Sequence, residues 1–440
     1  MNLMRNAAQD ADTLRALHEA FPKEGLFAEK EWILTPEPFR LGDDLRKELE
    51  KLGYRLLLFS RACNTLYHLS ITGRQPAWIA DYLDRGKPPE LVQYAREKRL
   101  RNEIPRVIRP DVILTDEGFT IAELDNVPGG IGLTGWLNHT YAGLGHDVVG
   151  GSTGMIDGFR DIVGGEADIV VSQEASTYAP EMRWLNEMAG GTLPVFEAES
   201  YAVPAAVEGA RPRSVYRFFE LFDLPNIPTA GAIMDAAARG AVEVTPPFKP
   251  YLEEKLWFAL FWMHPLREYW RRELSERHFL ELQKHIPYTW LIDPAPLPQH
   301  AVIPGLEIQN WNEVAKFSQK QRDLILKISG FSELGWGSRS VALGSDLSHQ
   351  DWARSMEEAV RSFEHHPYIL QRFHKGRLVE QPYFDPTTAT VSTMRGRIRL
   401  CPYYFIIDGK AEMRGALATI CPPDKKLLHG MKDAILAPAG

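Results

Sequence analysis

Residues 107–125 hold two apolar segments joined by a short acidic turn, a pattern that specifies an antiparallel β-hairpin. Val107-Ile108 and Val112-Ile113-Leu114 flank Arg109-Pro110-Asp111, and Phe119 to Asp125 follows the turn at Thr115-Asp116-Glu117-Gly118. Residues two apart in a strand share a face, so Glu123 and Asp125 point the same way, as do Arg109 and Asp111. A three-residue loop, Asp116-Glu117-Gly118, with Gly118 left-handed, pairs Thr115 with Phe119 and sets Asp111 opposite Glu123. Three carboxylates on one patch repel each other unless they are neutralised. A hard divalent cation does this through oxygen ligands, which makes Asp111, Glu123 and Asp125 candidate ligands for Mg²⁺, with Mn²⁺ as the alternative ion. The same spacing also fits a solvated hairpin face compensated by Arg109, and a two-residue turn would shift the register by one.

Gly130-Ile131-Gly132-Leu133-Thr134-Gly135 is a literal match to the dinucleotide-binding pattern. Its context is poor, because Asp125-Asn126-Val127-Pro128 separates it from the strand and two nearby carboxylates oppose a pyrophosphate. It reads instead as a turn into a helix at 133–142, whose first N–H groups could hold an anionic substrate group. Gly150-Gly151-Ser152-Thr153-Gly154 lacks the P-loop lysine and reads as a turn.

A second informative segment is Ile325-Leu326-Lys327-Ile328-Ser329-Gly330, an apolar strand with one lysine in its interior. The loop that follows contains Gly335, Gly337, Ser338 and Ser340 and leads into a second strand. Backbone N–H groups of such a loop can approach phosphate oxygens, although a plain hairpin with a snorkelling lysine fits the same residues. Downstream, Tyr368 to Phe373 is a strand that turns polar at Gln371, and upstream Glu253-Glu254-Lys255 opens an apolar helix.

The remaining chain of 440 residues reads as helical to about residue 100 and as alternating strand and helix from 146 to 240. It is helical again from 250 to 285 with a break at Pro265, and later forms strands at 324–328, 368–373, 378–384 and 397–407 around a helix at 349–362. Tyr216-Arg217-Phe218-Phe219-Glu220 reads as the packed edge of a helix. Arg397 and Arg399 share a strand face that either meets an acidic substrate or faces solvent. Three scattered cysteines supply neither a disulfide framework nor a Cys-type zinc site. The most apolar run, Leu256 to Met263, is far short of the ~20 residues of a membrane helix, and no signal peptide is visible. The net charge of −8 gives no general reason for nucleic-acid binding. The expectation is a soluble cytoplasmic protein with neither membrane nor nucleic acid as partner.

In order and spacing these segments resemble a circularly permuted ATP-grasp enzyme, of the kind represented by the synthetase domain of glutathionylspermidine synthase. The Arg-x-Asp strand, followed by Glu-x-Asp, is similar to that family's magnesium-binding hairpin. The strand–lysine–glycine-loop–strand unit and the hinge-like Leu370-Gln371-Arg372-Phe373 come later, as the permuted order requires. The resemblance implies an α/β fold with α+β lobes. In it, 1–104 is a helical N-terminal region and 105–145 the metal-binding hairpin segment of the C-terminal lobe. Residues 146–245 form an α/β layer on the substrate side, 246–345 the N-lobe, and 346–440 the rest of the C-lobe. It implies ATP and Mg²⁺ as cofactors, with Asp111, Glu123 and Asp125 on the metal and Arg109 stabilising charge during phosphoryl transfer. Lys255 and Lys327 would contact the nucleotide, and Gly335, Gly337, Ser338 and Ser340 would close over its phosphates. Gln371 and Phe373 would belong to a hinge whose backbone binds adenine. The family usually has Asn where Asp125 stands and often an acidic hinge residue where Gln371 stands. The implied activity is ADP-forming ligation of a small-molecule or peptide carboxylate to an amine through an acylphosphate. The alternatives are a small-molecule kinase on the same scaffold and a catalytically silent nucleotide-binding or scaffold protein.

Overall fold

The computed structural model describes residues 7–21, 31–205, 209, 211–335, 340–385, 387–388, 390–428 and 432–440. Among the described residues the architecture is mixed α/β, with three sheets. The N-terminal part is helical, at Ala7–Ala20, Asp43–Ile71, Trp78–Asp84 and Pro89–Ala95.

The hairpin consists of β1 (Val107–Thr115) and β2 (Gly118–Asp125). Asp111 pairs with Glu123, as the sequence suggests, but by a different route. Thr115 pairs with Gly118 rather than Phe119, so the turn has two central residues, Asp116 and Glu117. A β-bulge between Asp111 and Val112 restores the register, because Val112 pairs with Ile121 and leaves Ala122 as the extra residue.

A parallel sheet follows, built from β3 (Ala167–Val171), β4 (Val195–Glu197), β5 (Arg213–Phe218) and β6 (Val242–Thr245) in the order β4-β3-β5-β6. Tyr216 to Phe218 therefore lie in an interior strand, not on a helix edge. Parallel strands are covered on both faces and read as unbroken runs without the alternation that reveals a half-exposed strand. The chain leaves β3 for β4 on one side and returns to β5 on the other, which makes a topological switch point at the C-terminal ends of β3 and β5.

The third sheet has the order β7-β10-β8-β9, from β7 (Thr289–Leu291), β8 (Leu324–Ile328), β9 (Ala342–Leu343) and β10 (Tyr368–Arg372). β10 pairs with both β7 and β8, so residues 368–372 join the lysine-bearing strand and not the hairpin sheet. Finally β11 (Leu378–Phe384), β12 (Val391–Ile407), β13 (Lys410–Cys421) and β14 (Ile435–Pro438) complete an antiparallel six-stranded sheet with the hairpin, in which β12 pairs with β1. β13 and β14 are not evident in the sequence, since Gly415-Ala416-Leu417-Ala418 lacks the branched and aromatic residues that mark strands.

One face of the six-stranded sheet packs on the helix Asp43–Ile71. Ile108, Val112, Ile121, Leu400 and Tyr404 meet Leu49, Leu52, Leu56 and Phe59 in a common core. Helix and sheet approach closely at Gly53, where a Cβ would lie 2.5 Å from the Tyr404 ring. That packing turns the opposite face, with its charged residues, toward the interior of the molecule. Cys63, Cys401 and Cys421 are buried, and none of them forms a disulfide. No helix among the described residues is long and apolar enough to cross a membrane.

Candidate functional site

The free face of the six-stranded sheet is the floor of a cavity of about 600 Å³, to which Arg109, Asp111, Glu123, Asp125, Arg399 and Thr419 contribute. Lys255, Lys327, Gly335 and Ser340 line a second side, and Tyr178, Phe218, Phe219 and Glu220 line a third at the ends of the parallel sheet. Gly337 and Ser338 lie outside the described residues.

Lys327 occupies the middle of β8, where all five residues are buried. Its ammonium donates to the Ala122 carbonyl at 2.9 Å and to Gln371 Oε1 at 3.1 Å. Burial pushes its pKa down to about 8, partly opposed by Glu123. Lys255 stands at the start of the helix Leu256–Trp262, with Nζ 2.7 Å from Glu123 Oε1 and 3.3 Å from the Gly335 carbonyl. Burial opposes its charge, but Glu123, with Glu254 and Glu220, outweighs burial and raises the pKa.

The other two carboxylates are also held by cations. Arg109 Nη2 lies 2.9 Å from Asp125 and 3.3 Å from Asp111, and Arg399 Nη1 lies 3.0 Å from Asp111. Asp111 is buried, yet Arg399 and Arg109 hold its carboxyl below the usual range. Asp125 accepts from the Val127 N–H at 2.9 Å, and there burial prevails over Arg109 and raises the pKa. The hairpin is therefore not a solvated face. Nor do its three carboxylates meet at one point. Among the described residues, the one set of three acidic, His or Cys side chains with ligand atoms within 4.8 Å of each other is Glu48, Glu281 and His285, on other elements. Arg55 already serves both of those glutamates, at 3.2 and 3.7 Å.

Among the described residues, Arg109 Nε, Arg399 Nε and Thr419 Oγ1 are buried without hydrogen-bond partners. Buried polar atoms are rarely left unpaired, so these three mark unused capacity beside the carboxylates.

Gln371 and Phe373 do not line the cavity. Gln371 lies between two strands, and its side chain bridges Lys327 and Thr289 Oγ1. The N–H groups of Arg372 and Phe373 donate to the carbonyls of Tyr288 and Asp323. The N–H groups of Arg372 and Phe373 are thus committed to neighbouring segments, and the Gln371 side chain holds Lys327.

The helix expected after the glycines runs from Ile131 to Gly143, but its N-terminus is not open to an anion. Glu181, fully buried, accepts from the N–H groups of Gly130 at 2.8 Å and Leu133 at 2.9 Å. The glycines serve packing: a Cβ on Gly132 would lie 2.2 Å from the Glu181 carbonyl oxygen.

Arg399, Thr419 and Glu220 are the site residues that sequence reasoning left out or left undecided. The alternation of Arg397 and Arg399 was a signal for the first. Arg397 itself points away, bonding to the carbonyls of Gly376 and Pro423.

The fold and site define an α/β protein with a lysine- and carboxylate-lined cavity between three sheets. No family model matches the sequence, and no curated protein matches it. Among solved structures, the chain is similar to a glutathione synthetase-like effector from Globodera pallida in its apo form, with a TM-score of 0.56 and 12% identity over 100% of this chain and 98% of that one. A putative gamma-glutamylcysteine synthetase from Methylobacillus flagellatus KT gives a TM-score of 0.39 at 11% identity, over 87% of each chain. At these identities the first likeness is one of fold.

Proposed function

We propose that the chain is an ATP- and Mg²⁺-dependent carboxylate–amine ligase. A substrate carboxylate would attack the γ-phosphate of ATP and expel ADP, and an amine would then displace phosphate from the acylphosphate to form an amide. The observation that carries this reading is the meeting of Lys255 and Lys327 with Asp111, Glu123 and Asp125 around one cavity, in a fold like that of a glutathione synthetase-like effector. Phosphoryl transfer depends on positioning and charge neutralisation more than on a protein nucleophile.

The donors fit the cofactors. Asp111, Glu123 and Asp125 offer only oxygen ligands, as Mg²⁺ prefers, and the unpaired Arg109 Nε, Arg399 Nε and Thr419 Oγ1 offer hydrogen bonds to an anionic ligand. The three carboxylates would hold the metal once they leave Arg109, Arg399 and Lys255 and converge, and the metal when bound would neutralise phosphate charge. A phosphate would give Lys255 and Lys327 a stronger partner than they now have and would release Glu123. Arg109 would stabilise charge on the transferring group. Gly335 and Ser340, with Gly337 and Ser338 of the same loop, would cover the phosphates and exclude water. The six-stranded sheet and the sheet of β8 would be the two lobes of a permuted ATP-grasp fold, with the parallel sheet as the substrate layer.

Calorimetric titration with ATP, in excess Mg²⁺ and in EDTA, tests the reading on wild type, Lys327→Ala and Glu123→Ala. Mg²⁺-dependent binding weakened by both substitutions is expected, followed by ADP and amide formation in a screen of carboxylate–amine pairs. Absence of ATP binding to folded wild type overturns it. One observation favours a second reading, a nucleotide-binding protein without turnover: all three carboxylates are already ion-paired. Mg²⁺-dependent ATP binding with no ADP release across the screen would select it.

A further inference from the structure

Among the described residues, matching each carboxyl in and behind the cavity to its cation leaves two over, the exposed Glu174 and the half-buried Glu220. Asp111 has Arg109 and Arg399, Asp125 has Arg109, and Glu123 has Lys255. Glu253 has Arg217, whose fully buried guanidinium also donates to the carbonyls of Pro246 and Phe219. Glu220 has none. It stands two residues beyond the end of β5 and lines the cavity, and among the described residues no hydrogen bond or ion pair reaches its carboxylate. The charges that act on it are those of Glu253 and Asp125, which repel it, and those of Arg217 and Lys255, which are already engaged.

The wall beside Glu220 is aromatic. The Tyr178 and Phe218 rings lie 5.4 Å apart, and Phe219 follows. An enclosed carboxyl next to ring faces suits an organic ammonium, which gains a charge-assisted hydrogen bond from one and cation–π attraction from the other. An anion would face the nearby charges of Glu253 and Asp125, and a neutral group would leave the carboxyl protonated. The location is independent support, since open α/β sheets bind ligands beyond the C-terminal ends of their strands at the switch point. Burial, with Glu253 beside it, pushes the Glu220 carboxyl up to about 8, so near pH 7 it is mostly protonated when the subsite is empty, and a bound cation would return it to the carboxylate with release of a proton.

We propose that Glu220 receives the ammonium group of the amine substrate, in a subsite walled by Tyr178, Phe218 and Phe219 at the ends of β3 and β5. The assignment to a substrate rests on the ligase reading. It adds that the amine arrives as a cation on an apolar carbon chain and enters from the parallel-sheet side, opposite the lysines.

The test is calorimetric titration of the full chain with 1,4-diaminobutane, using 1,4-butanediol and succinate as neutral and anionic counterparts. Wild type should bind the diamine and neither counterpart. Glu220→Gln should weaken the diamine by roughly tenfold or more, the value of one charge-assisted hydrogen bond, while ATP affinity changes less than about twofold. Unchanged diamine binding by Glu220→Gln, or a preference for succinate, overturns the proposal. Should that variant fail to fold, wild type can be labelled at carboxyls with a carbodiimide and glycinamide and mapped by mass spectrometry. Protection of Glu220 by the diamine supports the subsite, and undiminished labelling overturns it. Diamine binding without ATP binding would sink the ligase reading and leave the ammonium subsite standing. ATP binding without diamine binding would do the reverse.

Discussion

The ammonium of Lys327 sits 2.9 Å from the carbonyl oxygen of Ala122, the residue that the hairpin bulge leaves over. A bulged residue falls out of the strand ladder, so its carbonyl is available to a side chain. The irregularity that brings Asp111 opposite Glu123 thereby also anchors the lysine of another sheet. Register of the carboxylates and placement of the lysine are one structural fact.

Lys327 also depends on Gln371, the neutral partner at 3.1 Å. Lys327→Ala should weaken ATP by roughly tenfold or more, whereas Gln371→Ala should cost only about threefold, because the bond to Ala122 remains. Equal losses in titration would show that Gln371 does more than hold the lysine.

Arg399 and Asp111 form a buried pair at 3.0 Å. Removing Arg399 leaves Asp111 with Arg109 alone, so Arg399→Met should destabilise the protein by about 1.5 kcal/mol in urea unfolding. Adding Asp111→Asn to Arg399→Met should cost less than the sum of the two single changes. Additive losses would mean that the pair is not coupled.

Glu181 caps the helix after the glycines through two backbone N–H groups. Glu181→Ala should lower stability by about 2 kcal/mol and Glu181→Gln by about 1, since the amide keeps one acceptor oxygen. No loss in either variant would show that the cap is dispensable.

Lys249 is fully buried and donates to Asn64 Oδ1 and to the carbonyls of Arg101 and Glu103. Desolvation, opposed by Glu103, pushes its pKa down from 10.5 to about 7. The folded state then binds fewer protons than the unfolded state between those two values. Lys249 thus adds a term that raises stability as pH climbs from about 7 toward 10.5, by up to ~1.4 kcal/mol per pH unit. Below about pH 7 its full penalty remains. Lys249→Met should flatten the slope of unfolding free energy between pH 7 and 10, and an unchanged slope would refute the shift.

The sequence by itself determined the local elements with a clear period or punctuation. The hairpin, the N-terminal helices, the strand of Lys327 and the helix at 349–361 all follow from patterns of apolar residues, turns and breaks. It also brought Asp111 and Glu123 together, although through a turn that the chain does not make. Tertiary structure decided the rest, because those features depend on partners distant in sequence. Packing against neighbours on both sides made Tyr216 to Phe218 an interior strand, and so put Glu220 at the rim of the cavity. The pairing of β1 with β12 put Arg399 on Asp111, 288 residues away, and turned a possible surface arginine into a buried counter-charge. The position of Glu181 closed a helix end that looks open in sequence. Local pattern fixes conformation because it is set by neighbours along the chain. The charge state and accessibility of a site are set by neighbours in space, and these exist only once the three sheets have met.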